Sequence, residues 1–157
     1  MSSLNFTVVE HQEDHIVFGL SKPSNDSTQA KDIPALSNRY YQISKTQRGE
    51  VIPFYVVSKD YNESTKDFLL FVGGLTEKDN LETLVIPKGI YGKVSVTPIM
   101  GLFWGAAIGR AKRSFYRRWL AASGYEALNM EYEYHSQAST GNTPSIDILF
   151  AIDKCKV

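Results

Sequence analysis

The run Met130–His135, which reads Met-Glu-Tyr-Glu-Tyr-His, contains the residue types best suited to chemistry. If this run is a β-strand, alternate side chains share a face, so Glu131 and Glu133 point to one side and Tyr132 and Tyr134 to the other. Two interpretations are open. In the first, the tyrosines cover the core and both glutamates face water. In the second, at least one carboxylate lies in an aromatic-lined cavity, where a buried negative charge and cation–π attraction would select an organic cation.

A predicted helix in the second half of the chain has a strongly basic face. No acidic residue occurs between Gly101 and Tyr125, whereas five basic residues do: Arg110, Lys112, Arg113, Arg117 and Arg118. Spacings of three and four residues place Arg110, Arg113 and Arg117 on one side of this helix. A solvated face, contact with DNA and docking on an acidic protein surface all fit the pattern. Because no helix-turn-helix pattern accompanies it, we expect no direct nucleic-acid binding, and a protein partner stays open as the alternative to a solvated face.

Two interpretations of the three histidines are open: a metal site, or ordinary structural positions without a metal. His11 and His15 have the spacing of a metal-binding pair, but they fall in a predicted polar turn, so a solvated turn is the alternative. His135 has no cysteine at ligand spacing. Motifs for nucleotide binding, zinc proteases and serine hydrolases are missing. We therefore predict no catalytic residue, no metal and no cofactor.

Composition excludes several classes of protein. The chain has 157 residues, with 17 Lys and Arg against 17 Asp and Glu, so no overall charge draws it to a polyanion. The single cysteine, Cys155, and the lack of a basic and apolar leader after Met1 predict a soluble cytoplasmic protein. The longest apolar stretch, Ile99–Ile108, falls short of the roughly 20 residues of a membrane helix, so no membrane contact is expected. Aromatic residues make up 12% of the chain, which suits a lined cavity or an ordinary core.

Patterning predicts one domain over residues 1–157, built from two similar halves at about 1–77 and 81–157. In the first half, a strand pair or one bent strand spans Leu4–Leu20, and a loop follows over residues 21–31. Asp32 is predicted to cap a helix that has Pro34 in its first turn and ends near Gly49. A hairpin of Val51–Ser58 and Asp67–Gly73 completes the half.

The second half repeats this order of elements. A strand over Thr83–Val96 is interrupted by the turn Pro87–Gly89. An apolar stripe from Leu102 to Trp119 predicts a helix that is ended by Ser123 and Gly124. Two strands, Leu128–His135 and Ile146–Ile152, follow. The predicted fold class is therefore α+β, with an antiparallel sheet and a concave junction between the halves, which is a natural place for a ligand.

Several segments, in this order and spacing, carry a family resemblance over nearly the whole chain. They are Val17–Ser21, Ser24 and Asn25 followed by Asp32–Leu36, Phe54–Val57, Asp67–Gly73, Val85–Tyr91 (similar to a family motif Ile-Pro-Ala-Gly-Lys-Tyr), Tyr116, Trp119–Leu120, Ser123–Tyr125, the glutamate strand and Ile146–Ile152. Together they resemble the effector-binding domain of gyrase-inhibitory-protein-like (GyrI-like) proteins. That domain also forms the C-terminus of multidrug-responsive bacterial transcription activators, and it occurs in a stand-alone, integron-associated type.

The resemblance implies two halves related by a pseudo-twofold axis, with a pocket between them for bulky, apolar, often cationic compounds. In such proteins a glutamate of one strand contacts the positive charge of the ligand. Both Glu131 and Glu133 match the hydrophobic–Glu pair of that motif, so both are candidates. The candidate aromatic walls are Tyr55, Tyr91, Trp104, Tyr116 and Trp119. Ser37 departs from the pattern, because the family often has tryptophan there, and its small side chain would widen the pocket or leave it partly wet.

The predicted function is a stand-alone sensor or sequestering module for amphipathic organic cations. No DNA-binding domain precedes the fold in this sequence, so direct transcriptional activation is not expected. Two alternatives stay open. One is a small hydrolase that acts on reactive electrophilic compounds in the same pocket. The other is a gyrase-inhibitor-like module that binds a protein through the arginine face.

Overall fold

Eight antiparallel strands form one sheet that curls into a half-barrel. The computed structural model describes residues 4–98 and 104–155. The first half of the chain contains β1 (Thr7–His11), β2 (His15–Asn25), α1 (Gln29–Ser44), β3 (Phe54–Lys59) and β4 (Asp67–Gly74). The second half contains β5 (Glu82–Ile86), β6 (Gly89–Val96), α2 (Trp104–Ser114), β7 (Tyr125–His135) and β8 (Ile146–Lys154). After α2 the helix continues through a π-helical turn, Phe115–Trp119, into α3 (Leu120–Ser123).

The strand order, β1-β6-β8-β7-β3-β4-β2-β5, is symmetric about the pairing of β3 with β7. Each half contributes its hairpin strands to one side of that junction. The first strand of each half crosses over: β1 pairs with β6 of the second half, and β5 pairs with β2 of the first half. This arrangement confirms the predicted α+β fold of an antiparallel sheet with two similar halves related by a pseudo-twofold axis, and each half has two strands before its helix instead of one.

Both faces of the sheet are covered, because alternate residues of the central strands enter different clusters. On the helix-bearing face, Phe54 and Val56 pack with α1, while Ile148 and Phe150 pack with α2. The opposite face has its own core, whose members include the buried aromatic residues Tyr55, Phe71, Tyr91 and Tyr132. No helix among residues 4–98 and 104–155 is long and apolar enough to cross a membrane.

The first helix begins earlier and ends earlier than predicted. It starts at Gln29, so Pro34 lies inside it and Asp32 is not its cap. Asp32 is held instead by hydrogen bonds from Lys22 Nζ, Ser24 Oγ and Thr28 Oγ1, each 2.8 Å long. The helix ends at Ser44, because Lys45 adopts the left-handed conformation at a φ of 58°.

Four strand predictions also need correction. The predicted loop over residues 21–31 is wrong for its first part, because Ser21 through Asn25 pair with β4 and extend β2. β1 and β2 are neither one bent strand nor partners of each other. Likewise, the turn Pro87–Gly89 separates β5 from β6, and these two strands lie in different parts of the sheet. β7 begins at Tyr125, and its pairing with β8 has a bulge between Ala127 and Glu131.

The end of the second helix agrees with the prediction. It stops at Ser123, and Gly124 follows in the left-handed conformation with a φ of 77°, which glycine adopts readily. Leu102, the first residue of the predicted apolar stripe, and the start of the stretch from Ile99 lie outside the described residues.

Candidate functional site

Strands β3 and β7 form the floor of a groove between the two helices, which we call the inter-helix groove. In this pairing Val56 lies opposite Glu133, and Ser58 lies opposite Glu131. These four side chains face the helices, whereas Tyr132 points to the core on the opposite face. The interpretation that places both glutamates in water is wrong, because Glu133 is only 8% exposed and the Glu131 side chain only 17%.

The larger cavity of the groove has a volume of about 790 Å³, within the usual range for small-molecule sites. It lies between the start of α1, the loop after β3 and the second half of the long helix, which consists of α2, the π-helical turn and α3. Its aromatic lining residues are Tyr61, Phe68 and Tyr116. Its charged lining residues are Asp26, Glu63, Glu131, Lys112, Arg113 and Arg117.

Glu131 and Lys112 form a loose ion pair in this cavity. The Lys112 Nζ atom lies 3.7 Å from Glu131 Oε2, which is longer than the 2.7–2.9 Å typical of a charge-assisted hydrogen bond. Oε2 is buried and has no hydrogen-bond partner. Burial raises the pKa of the Glu131 carboxyl, and the Lys112 ammonium acts against this. Burial also disfavours the Lys112 ammonium, but the carboxylates of Glu131 and Glu133 outweigh that effect, so the pKa of Lys112 is raised.

The smaller cavity continues the groove at the Phe54 end of β3 and has a volume of about 380 Å³. Tyr41, Phe54 and Trp104 supply its aromatic walls. Glu133 lines it and lies 3.2 Å from His135, measured from Oε1 to Nε2. Ser37 also lines this cavity, where the family resemblance would place a tryptophan.

The residues predicted from the sequence are divided among four places. Glu131 and Tyr116 line the larger cavity, while Glu133 and Trp104 line the smaller one. Tyr55 and Tyr91 belong to the core on the opposite face of the sheet. Trp119 stacks on Tyr125, with ring centroids 5.9 Å apart, and lines neither of these two cavities. The roles of these residues in ligand binding stay predictions.

The sequence did not identify Tyr61 and Asp26 as site residues. The Tyr61 hydroxyl donates to Asp26 Oδ2 at 2.7 Å, and this bond raises the pKa of Tyr61 to about 12. Asn129, in the β7 bulge, holds the backbone of Tyr61 from both sides: its Oδ1 accepts from Tyr61 N at 2.8 Å, and its Nδ2 donates to Tyr61 O at 3.0 Å. Asn129 has a positive φ of 58°. The sequence does not show this conformation, so it could not reveal the anchor.

The basic helix face is partly turned inward. Arg113 and Arg117 line the larger cavity together with Lys112, and both arginines are exposed at its rim. A protein partner that uses Arg110, Arg113 and Arg117 stays a prediction.

His11 does not lie in a solvated turn, as one interpretation expected. Its ring packs on Tyr91, with centroids 4.3 Å apart, and its Nε2 lies 2.6 Å from the Tyr132 hydroxyl oxygen. Over the described residues, His, Cys, Asp and Glu do not gather in groups of three that could hold a metal ion.

No protein-family model matches the sequence, and no curated protein matches it. Solved structures are similar in fold. The integron cassette protein VCH_CASS2 of Vibrio cholerae has a TM-score of 0.68 at 14% identity, with 94% of this chain and 95% of that one covered. SAV2435, solved bound to tetraphenylphosphonium, has a TM-score of 0.69 at 8% identity, with 95% and 94% covered. The EcmrR C-terminal domain has a TM-score of 0.57 at 16% identity, with 97% and 99% covered.

These likenesses establish the fold and not the activity, because the identities are low. The chain shares the fold of these structures, which agrees with the two-halved fold that the resemblance to GyrI-like effector-binding domains implied.

Proposed function

We propose that this chain binds bulky amphipathic organic cations in the inter-helix groove, with Glu131 as their counter-charge. The observation that carries the proposal is that Glu131 lines the larger cavity and has a buried Oε2 atom without a hydrogen-bond partner. An unsatisfied buried polar atom costs about 1–3 kcal/mol, and more when it is charged. A ligand that brings a positive charge or an N–H donor to this oxygen would offset the cost.

The size and lining of the cavity support the same ligand class. Tyr61 and Phe68 lie together on one side, with ring centroids 6.3 Å apart, and Tyr116 comes from the long helix. Aromatic faces attract cations, most strongly where water is excluded. SAV2435, a protein of similar fold, was solved with a bulky aromatic cation of this kind. Because the two proteins have similar folds, this ligand supports the proposal by analogy.

A binding module of this kind would act as a sensor or as a sequestering protein. Sequestration needs only tight binding in the groove. A sensor also needs a surface that changes when the ligand binds. Arg113 and Arg117 meet that need, because they line the cavity and are exposed at the same time.

Titration with tetraphenylphosphonium, followed by calorimetry, tests the proposal. We expect Glu131→Gln, which keeps the size of the side chain and removes its charge, to weaken binding at least about tenfold, or about 1.4 kcal/mol. Glu133→Gln is the matched control, because it removes a carboxylate from the same strand and face but lines the smaller cavity. We expect it to change the affinity less than about threefold. Absence of binding to the unmodified protein, or no effect of Glu131→Gln, would show the proposal to be wrong.

A second candidate is hydrolysis of an electrophilic ring compound such as an epoxide. The specific observation in its favour is that Glu131, whose pKa is raised by burial, shares the cavity with Tyr116. Glu131 would take a proton from water, the water oxygen would attack a ring carbon, and the C–O bond would break. Tyr116 would protonate the leaving oxygen, since burial and Glu131 raise its pKa and keep it protonated. Turnover of styrene oxide that disappears in both Glu131→Gln and Tyr116→Phe would support this candidate, and no turnover would exclude it while leaving the binding proposal intact.

A further inference from the structure

Lys112 supplies a cation of the protein itself at the carboxylate that faces the larger cavity. Its ammonium lies 3.7 Å from Glu131 Oε2, at the position where a cationic ligand would find its counter-charge. The pair is loose enough to leave this oxygen without a hydrogen bond. A ligand and Lys112 therefore compete for the same partner.

The charges around the larger cavity are balanced. Three carboxylates, Asp26, Glu63 and Glu131, face three cations, Lys112, Arg113 and Arg117. A site built for a simple cation would have an excess of negative charge. A cation without any acceptor group either shares Glu131 with Lys112, so that two positive charges face one carboxylate, or displaces the ammonium, which then needs water or another partner. Displacement is possible because the Lys112 side chain is 24% exposed and its four-carbon stem is flexible.

We propose that Lys112 is an intramolecular competitor that makes the groove selective for amphoteric aromatic ligands, which present an acceptor to Lys112 beside the positive charge that pairs with Glu131. This inference rests on the proposed function and names its ligand class more narrowly. A carboxylate on the ligand pairs with the displaced ammonium, so neither charge is left alone in the cavity. A permanent cation without an acceptor leaves Lys112 unpaired and binds more weakly.

The test compares two ligands that differ by one carboxylate: tetraphenylphosphonium and (4-carboxyphenyl)triphenylphosphonium, both titrated by calorimetry at neutral pH. The unmodified protein is expected to bind the carboxylate compound at least about tenfold more tightly. In Lys112→Met the preference is expected to disappear, because tetraphenylphosphonium gains at least about tenfold in affinity. Arg118→Met is the matched control, since it removes a positive charge from the same long helix at an exposed residue that lines neither cavity, and it leaves the Glu131 ion pair in place. It should change neither affinity more than about threefold.

Two further variants keep the test decisive. Lys112→Met leaves Glu131 without its partner and can fail to fold, whereas the amide of Lys112→Gln can still donate to Glu131 and should give the same change in preference. In a Glu131→Gln background, Lys112→Met should raise the affinity for tetraphenylphosphonium less than it does in the presence of Glu131, because it then relieves only the repulsion between two cations and no carboxylate is left to compete for.

The outcomes separate the two proposals. If neither the unmodified protein nor a folded Lys112 variant binds either compound, the proposed cation site is wrong and this inference falls with it. If the unmodified protein binds tetraphenylphosphonium but the Lys112 variants bind it no more tightly than Arg118→Met does, the site stands and only the competition by Lys112 is overturned.

Discussion

The ring of Phe115 stacks face to face on the ring of Phe150, with centroids 3.8 Å apart and planes within 6°. Phe115 begins the π-helical turn of the long helix, directly between Lys112 and Tyr116 of the larger cavity. Phe150 lies in β8, where its backbone pairs with Glu131. This one contact therefore fixes the helical wall of the cavity to the strand that carries the carboxylate.

Because of this stack, we expect a methyl group at Gly92 to lower the stability of the protein. Gly92 lies opposite Phe150 in β6, and a Cβ atom there would come within 2.9 Å of Phe115 Cε2. Gly92→Ala should displace the ring and lower the free energy of unfolding by about 1–3 kcal/mol, as overpacking does. Urea unfolding measures this.

Gly105→Ala is the control for that experiment. Gly105 lies in α2, and a Cβ atom there would meet nothing within 4 Å. Alanine at such a helix position should raise the free energy of unfolding by about 0.5–1 kcal/mol. Equal effects of the two substitutions would contradict the role given to the Phe115–Phe150 stack.

The two tryptophans should respond differently to a ligand. Trp104 lines the smaller cavity, whereas Trp119 packs against Tyr125 outside both cavities. The cavities are consecutive along the same strands, since Glu131 and Glu133 are two residues, or about 7 Å, apart. Saturation of Trp119→Phe with tetraphenylphosphonium should therefore change the fluorescence of Trp104, whereas Trp104→Phe should show little change. A signal that persists in Trp104→Phe would place the ligand elsewhere.

The sequence predicted much of the fold because its local signals are strong. Alternation along Met130–His135 separated the glutamates from the tyrosines, and Ser123 with Gly124 marked the end of the second helix. Alternation could not decide which face carries the helices, because both faces are covered: Tyr132 is 5% exposed and Glu133 is 8% exposed.

The misplaced features depend on contacts between distant segments. Asp32 has the sequence signature of a helix cap, yet its carboxylate is bound by Lys22 and Ser24 of a strand that the sequence alone suggested was a loop. Lys112 looked like one member of a charged helix face, and only the sheet beneath the helix brings Glu131 to it. Helical periodicity gives the spacing of residues on one element, but it does not give their partners on another.

Asp32 predicts a specific acid response of stability. Hydrogen bonds from Lys22, Ser24 and Thr28 lower the pKa of its carboxyl to about 2, from an ordinary value of 3.8. Because the pKa is lower in the folded state, the ionised carboxylate stabilises the fold at pH values above 3.8. This contribution is lost as the pH falls from 3.8 toward 2. Asp32→Asn should therefore be less stable than the unmodified protein at pH values well above this window, and the difference should shrink within it.

Urea unfolding at a series of pH values measures that difference. Asp79→Asn is the control, because Asp79 is exposed and the same chemical change there should leave the acid response unaltered. A stability difference for Asp32→Asn that is independent of pH would contradict the assignment of this response to Asp32.

Tyr132 and Glu131 are adjacent in β7 but face opposite sides of the sheet. A substitution of Tyr132 should therefore change stability, whereas a substitution of Glu131 should change ligand affinity. The Tyr132 hydroxyl oxygen lies 2.6 Å from His11 Nε2 in the core on the face away from the helices. Tyr132→Phe removes this hydrogen bond and keeps the ring, so it should lower the free energy of unfolding by about 0.5–1.5 kcal/mol. It should leave the affinity for tetraphenylphosphonium unchanged, because the ring does not face the inter-helix groove. Calorimetric titration and urea unfolding of Tyr132→Phe beside Glu131→Gln compare the two faces directly. Weaker ligand binding by Tyr132→Phe, at unchanged stability, would place the binding site on the opposite face of the sheet and overturn the assignment of the groove.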